Sequence, residues 1–109
     1  MALPYFPFYP NDWVGSLRVD QLTATEERGY FRLLCSAWAL PDCTLPADEK
    51  SLLRWSKIED PKELRNVLKQ FFDKTKDGWR NEKLYEKWKK SNEKHKSASE
   101  SAKIRWGRK

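Results

Sequence analysis

Histidine, cysteine and glycine are scarce in this 109-residue sequence, and their scarcity limits the chemistry it can perform. The one histidine, His95, lies in the most polar part of the chain, and with Cys35 and Cys43 it has no zinc-ligand spacing. The four glycines are too scattered to cradle a phosphate, and neither a nucleophile elbow nor a paired acidic motif is present. We therefore expect no catalytic residue, no metal ion and no cofactor, and we predict that the protein is not an enzyme.

Signals for secretion and for membrane insertion are also missing from the sequence. The first residues show neither the basic segment nor the apolar core of a signal peptide. No apolar run approaches the ~20 residues that a bilayer-spanning helix needs. Two cysteines do not make a disulfide framework, so we expect a soluble, cytoplasmic protein with reduced thiols and no membrane partner.

Aromatic residues and prolines, in contrast, are concentrated near the start of the chain. Residues 4–13 include five aromatic residues and three prolines. Because each proline removes a backbone donor and favours extended geometry before it, this segment is predicted to be an extended arm rather than a helix or an interior strand. It could serve as a ligand-binding or peptide-recognition surface. We favour a structural strap that packs on the first long helix and buries Trp13 and several of Tyr5 to Tyr9.

The first long helix is predicted over about residues 24–40, after an irregular segment at 14–22. Thr23 and Glu26 form a capping box at its start, and from residue 30 onward it is apolar on most sides. We expect it to be a central helix covered by several neighbours and ended by Pro41. Gly29 costs ~1 kcal/mol there relative to alanine, which indicates close approach of another segment. The aromatic arm is the expected partner.

Two further helices and a hairpin are predicted next. Pro46 is expected to open a helix over 47–56. Asp60 and Pro61 then start a third helix over 61–72, whose apolar residues follow the i, i+3, i+4, i+7 pattern.

The dipeptide Asp77-Gly78 indicates a hairpin, and Asn81 can cap a last helix. The predicted fold is therefore mainly α with a small β-hairpin, namely a winged helix-turn-helix with an extended N-terminal arm and a C-terminal helix. We predict a winged-helix domain over 1–90 and a basic polar tail over 91–109, which is either a helical extension or disordered.

Positive charge is concentrated in the last third of the sequence. The net charge of the chain is +6, and residues 76–109 alone carry twelve basic and five acidic groups. This asymmetry is typical of a protein with a polyanionic partner, although a lysine-rich helix can also serve only solubility.

The polar face of the third helix, opposite its apolar residues, has no central acid. Arginine and lysine pair with guanine edges or phosphates, and asparagine and glutamine pair with adenine edges. In a winged helix this face enters the major groove, but a solvated face of any protein has a similar composition. The candidate DNA-binding residues on this helix, the wing and the last helix are Lys62, Arg65, Asn66, Lys69, Gln70, Lys74, Lys76, Arg80, Lys87 and Lys90.

The sequence resembles a known family. Residues 5–13, Tyr-Phe-Pro-Phe-Tyr-Pro-Asn-Asp-Trp, and residues 26–34, Glu-Glu-Arg-Gly-Tyr-Phe-Arg-Leu-Leu, are similar to the YdaU-like family of phage and prophage proteins. Leu45-Pro46, Phe71-Phe72, residues 78–81 and residues 102–106 also match its pattern. Members have no established function and are often encoded beside, or fused to, phage replication proteins. The resemblance therefore implies a role in DNA replication initiation or replisome organisation in a bacterial host cell.

We interpret the chain as a winged-helix protein that binds duplex DNA. The alternative is a protein-interaction adaptor of the replication machinery that does not contact DNA. A short apolar stripe in the tail, at Ala98, Ala102 and Trp106, could dock on a replication protein, and the protein could also form homo-oligomers.

Overall fold

Helices account for most of the described part of the chain. The computed structural model describes residues 8–106, and the side chains of residues 8–94. In agreement with the sequence, the described residues are mainly helical and include a small two-stranded antiparallel hairpin. The elements are α1 (Pro10–Val14), α2 (Leu17–Asp20), α3 (Ala24–Trp38), α4 (Glu49–Ser56), α5 (Pro61–Phe71), β1 (Asp73–Lys74), β2 (Trp79–Arg80) and α6 (Glu82–Trp106).

Local capping signals start the long helices where they were predicted. The Thr23 hydroxyl accepts a hydrogen bond from the Glu26 backbone amide at 3.1 Å, and the Thr23 amide donates to Glu26 Oε1 at 3.0 Å. Asp60 accepts from the backbone amide of Lys62 at 2.9 Å and is followed by a proline in the first turn of α5. At α6, Asn81 Oδ1 accepts from the Leu84 amide at 3.0 Å. Each signal satisfies an amide that the helix itself leaves unpaired.

Two segments before α3 were predicted wrongly. The arm was expected to be extended through Trp13, but Pro10 opens the short helix α1, where its missing N–H costs nothing. The stretch predicted to be irregular contains the one-turn helix α2. Ser16 caps this helix, because its Oγ accepts a hydrogen bond from the Val19 backbone amide at 3.3 Å.

The start of α4 was also predicted wrongly. This helix begins at Glu49 and is capped by Asp48, so Pro46 lies outside it. The residue before Pro46 is held elsewhere: Leu45 forms an isolated antiparallel bridge with Trp79 of β2, with backbone N–O distances of 2.7 and 2.9 Å. Pairing with β2 keeps this segment extended.

The hairpin pairs Asp73 with Arg80 and Lys74 with Trp79. Gly78 occupies its turn with φ of +152°, and a Cβ atom at this position would collide with the Leu45 carbonyl oxygen. Only glycine allows this backbone conformation and this approach without strain. The bridge therefore places the segment around Leu45 beside β2, on the side opposite β1.

Helix α3 lies at the centre of the core, as predicted, and packs against α4, α5 and α6. Leu33 and Ala37 are fully buried on it, and Leu64 and Val67 of α5 are also fully buried. Leu84 provides the buried contact from α6. Helix α6 then continues without a break through residue 91, the predicted start of the tail, to Trp106.

The aromatic arm is less buried than predicted. Trp13 is half-buried, stacks on Tyr30 with ring centroids 5.2 Å apart, and donates from Nε1 to Glu27 Oε1 at 3.0 Å. Phe8 and Tyr9 are 40% and 53% exposed, so the expected burial is wrong for these two rings. Residues 5–7 lie outside the described residues.

The partner predicted for Gly29 is likewise wrong. Ile58, in the turn between α4 and α5, lies against this glycine, and a Cβ atom there would be 2.5 Å from Ile58 Cγ1. The arm instead contacts the next residue, Tyr30, which points to the neighbouring side of α3. Packing of the turn between α4 and α5 against α3, and not the arm, explains the glycine.

Candidate nucleic-acid interface

The exposed face of α5 carries four of the predicted DNA-binding residues. Lys62, Arg65, Asn66 and Lys69 are all exposed there, at i, i+3, i+4 and i+7. Gln70 is half-buried at the edge of this face. The structure therefore brings together the set expected from the helical wheel, with the lysines at its centre.

Acidic residues from other helices lie beside this face, and the wheel could not reveal them. Glu49 of α4 forms an ion pair with Arg65, with Nη2–Oε1 at 3.0 Å and Nε–Oε2 at 3.4 Å. Both side chains are largely exposed, 57% and 42%, so the pair contributes less than about 1 kcal/mol. Arg65 can therefore exchange Glu49 for a phosphate at little cost.

Asn66 is held by a second acid. Its Nδ2 donates to Glu26 Oε2 at 2.7 Å, which links α5 to the first turn of α3. A second hydrogen bond links α5 to the start of α3, because Thr23 Oγ1 donates to Glu63 Oε2 at 3.3 Å. These contacts join residues 40 positions apart and have no signature in the local sequence.

Glu26 is buried, with 6% of its surface exposed. Burial raises the pKa of this carboxyl, but hydrogen bonds from the Thr23 backbone amide and from Asn66 outweigh burial and hold the pKa below its ordinary value. Glu26 is therefore an ionised carboxylate at neutral pH.

The hairpin presents two of its three predicted cations to solvent. Lys74 and Lys76 are exposed, and Lys74 Nζ lies 5.1 Å from the centroid of the Trp79 ring. Arg80 points into the fold instead. Its Nε and Nη2 donate to Thr44 Oγ1 at 3.1 and 3.0 Å, and its guanidinium lies 3.9 Å from the centroid of the Tyr85 ring. Arg80 thus has a structural role, which the sequence did not indicate.

A row of lysines follows one side of α6. Lys83, Lys87, Lys90 and Lys94 recur at i, i+4, i+7 and i+11, a spacing that keeps them on one helical face. Lys87 is half-buried, with Nζ 4.3 Å from the centroid of the Tyr9 ring, and the other three are exposed. Of the two predicted residues on α6, Lys90 is therefore the more accessible.

A cleft of about 510 Å³ separates α1 and α2 from α5 and α6. Lys69 and Lys83 line it, together with Arg18, whose guanidinium lies 4.7 Å from the centroid of the Phe71 ring. Asp12 and Asp73 also line it and offset part of this charge. Arg18 was not among the predicted residues, because it precedes the basic part of the sequence.

Within the described part of the chain, no cluster of three or more histidine, cysteine or acidic residues could hold a metal ion. None of the described helices is both long and apolar enough to cross a lipid bilayer.

A family model described as "Protein of unknown function (DUF1376)" matches residues 4–88. The chain belongs to this family. The match extends from the aromatic arm to Trp88 of α6 and so includes the α5 face and the hairpin of this DUF1376 protein. No curated protein and no solved structure matches the chain significantly.

Proposed function

We propose that this DUF1376 protein is a winged-helix protein that binds duplex DNA. The observation that carries the proposal is the face of α5, where Lys62, Arg65 and Lys69 are exposed together. The hairpin that follows directly adds Lys74 and Lys76. With cations exposed on both the helix and the hairpin, the protein can contact the phosphates on the two sides of a DNA groove.

The arrangement of elements supports a winged helix-turn-helix. Helices α4 and α5 are joined by residues 57–60, a turn of the length typical of this motif, and Lys57 adopts the left-handed conformation there with φ of 64°. Leu45 adds a third extended segment beside the hairpin through its bridge to Trp79. In this arrangement α5 is the recognition helix and the hairpin is the wing.

The resemblance to YdaU-like phage and prophage proteins supports a biological setting for this activity. We infer that the protein acts in the initiation of phage or prophage DNA replication, or in organising the replisome. Binding of duplex DNA by a small basic domain suits both roles, since each requires a protein placed on DNA before strand synthesis.

The test is fluorescence anisotropy with a labelled duplex across a salt series. We expect log K to fall linearly with log[salt], with a slope of about −0.9 for each phosphate contacted. The double variant Lys62→Glu/Lys69→Glu should weaken binding at every salt concentration and make the slope less steep by about 2. Arg65 is left unchanged because its reversal would also place a second acid beside Glu49.

A matched control carries the same change of charge on another surface. Arg54→Glu/Lys57→Glu alters two exposed cations of α4 and its turn, outside the α5 face, and should affect affinity much less. Equal losses for the two double variants would show that binding depends on net charge and not on α5. Absence of duplex binding by the unaltered protein at about 50 mM salt would refute the proposal.

An adaptor function is the second candidate, and one observation favours it. Val14 and Leu17, on the two short helices before α3, are each 77% exposed. Exposed aliphatic side chains three residues apart suit a protein contact better than a DNA contact. If the protein binds no duplex but co-purifies with a replication protein, and Val14→Asp/Leu17→Asp abolishes this association, the adaptor function is correct.

A further inference from the structure

We propose that Asn66 recognises an adenine in the major groove and that the buried Glu26 carboxylate sets the orientation of the Asn66 amide. This inference rests on the proposed binding of duplex DNA through α5. To that proposed function it adds a preference for adenine at one position and a residue, Glu26, that controls this preference.

The position of Asn66 suits contact with a base edge. It lies on the exposed face of α5, four residues after Lys62 and three residues before Lys69. Along the helix axis it lies between the two lysines, which can hold the phosphate backbone, and it offers a flat amide at one side of them. Phosphate contacts position a recognition helix, and amides or guanidinium groups between them distinguish the bases.

The amide orientation follows from the chemistry of its partner. Glu26 Oε2 lies 2.7 Å from Asn66 Nδ2. An ionised carboxylate can only accept hydrogen bonds, so the amide must turn its nitrogen, and not its oxygen, towards Glu26. An exposed asparagine without such a partner can rotate its amide and offer either edge to DNA.

Glu26 is itself fixed in place. Its Oε1 accepts from the Thr23 backbone amide at 3.0 Å, and Glu26, in the first turn of α3, is buried. A backbone amide can only donate, so this second contact also has one possible direction. Thr23, Glu26 and Asn66 thus form a chain of hydrogen bonds in which each donor and acceptor is determined.

The outward edge of Asn66 then carries one acceptor and one donor. Glu26 takes one proton of Nδ2, which leaves Oδ1 and the second proton for DNA. Adenine presents the complementary pair in the major groove, a donor at N6 and an acceptor at N7. Guanine presents two acceptors there, at O6 and N7, and would leave Oδ1 facing an acceptor.

This chain of hydrogen bonds predicts that Glu26→Gln reverses the Asn66 amide. Glutamine has the same shape and also serves in capping boxes, so α3 should still start at its present position. The Thr23 amide requires the carbonyl oxygen of the introduced glutamine, whose NH₂ group must then face Asn66. Asn66 would turn its own oxygen inward to accept this bond and would present both Nδ2 protons to DNA. Two donors suit guanine rather than adenine.

The experiment is selection of preferred sites from a randomised duplex library, followed by affinity measurement on matched duplexes. For the wild-type protein we expect one position where adenine is preferred over guanine by about 5- to 150-fold. Asn66→Ala should lose this preference while the rest of the site is kept. Glu26→Gln should change the preferred base at the same position to guanine. Lys62→Ala is the control, and it should weaken all sequences about equally.

Circular dichroism and two-dimensional NMR spectra of each variant establish that it is folded. NMR of the wild-type protein also reports the amide orientation directly, through contacts of the Nδ2 protons with the first turn of α3. These contacts should be lost in Glu26→Gln, so the proposal stays testable even if Asn66→Ala does not fold.

Three results would overturn the inference. The first is identical base preference in the wild-type, Asn66→Ala and Glu26→Gln proteins. The second is a selected wild-type site in which no adenine preference is lost in the Asn66→Ala protein. Both of these results would leave the proposed DNA binding itself intact. The third is no duplex binding by the wild-type protein, which would refute the proposed function as well.

Discussion

The close packing of Gly29 against Ile58 allows a prediction in which two effects of opposite sign compete. Alanine is favoured over glycine inside a helix by about 1 kcal/mol, so Gly29→Ala would stabilise a helix with open space at this position. In this protein the new methyl carbon would lie 2.5 Å from Ile58 Cγ1, far inside van der Waals contact. Ile58 is only 2% exposed and cannot move aside into solvent.

The steric effect should exceed the gain in helix propensity. Inserting a methyl group into a well-packed core costs about 1–3 kcal/mol. After subtraction of the propensity term, Gly29→Ala should lower the free energy of unfolding by about 1 kcal/mol and at most about 2 kcal/mol. For a domain of this size, a loss of 1 kcal/mol corresponds to a melting temperature lower by about 4–8 °C.

A double-mutant cycle with Ile58→Ala serves as the control. Ile58→Ala alone should cost about 2–5 kcal/mol, because it leaves a cavity in the core. In the Gly29→Ala background it should cost less by about 1–2 kcal/mol, since the collision is gone and the new methyl group fills part of the cavity. Urea unfolding followed by tryptophan fluorescence and by circular dichroism measures all four proteins. Stabilisation by Gly29→Ala, with additive effects in the double variant, would refute this account of the glycine.

Two further predictions concern titratable groups. Because the pKa of Glu26 is lower in the folded protein than its ordinary value of 4.5, the unfolded chain takes up this proton first, and stability should fall as the pH drops below about 4.5. Urea unfolding between about pH 6 and pH 3 should show a smaller loss for Glu26→Gln, and equal losses would contradict the assignment. Burial raises the pKa of the Cys43 thiol to about 12, so it should stay unreactive towards a disulfide reagent near pH 8 until urea unfolds the protein. A Cys35→Ser variant isolates Cys43, and rapid labelling of its folded form would show that this thiol is accessible.

The helix starts were predictable because their causes are local. Thr23 with Glu26 and Asp60 with Lys62 act across two or three residues, and such contacts form whenever the helix forms. Asn81 and the hairpin turn at Gly78 were likewise visible in the sequence. The start of α4 was not, because the bridge from Leu45 to Trp79 joins segments 34 positions apart and competes with the helix signal of Pro46.

The candidate site shows the same division. A helical wheel places Lys62, Arg65, Asn66 and Lys69 on one face, and the structure confirms that they are exposed together. The wheel contains no information about neighbouring helices. It therefore missed Glu49, which pairs with Arg65. The hairpin signal likewise could not show that Arg80 contacts Thr44 inside the fold.

The spacing of apolar residues, the capping residues Thr23, Asp60 and Asn81, the Asp77-Gly78 turn and the basic residues opposite the apolar face of the third helix are properties of the sequence by itself. They determined a mainly helical class with a hairpin, the residues at which most long helices start, and the helix that carries an exposed basic face. Only the tertiary structure decided which residues of other helices the individual polar groups on that face contact. Asn66 is anchored to Glu26 and Gly29 meets Ile58 because packing joins residues 29–40 positions apart, and such contacts depend on how whole helices pack rather than on any local pattern.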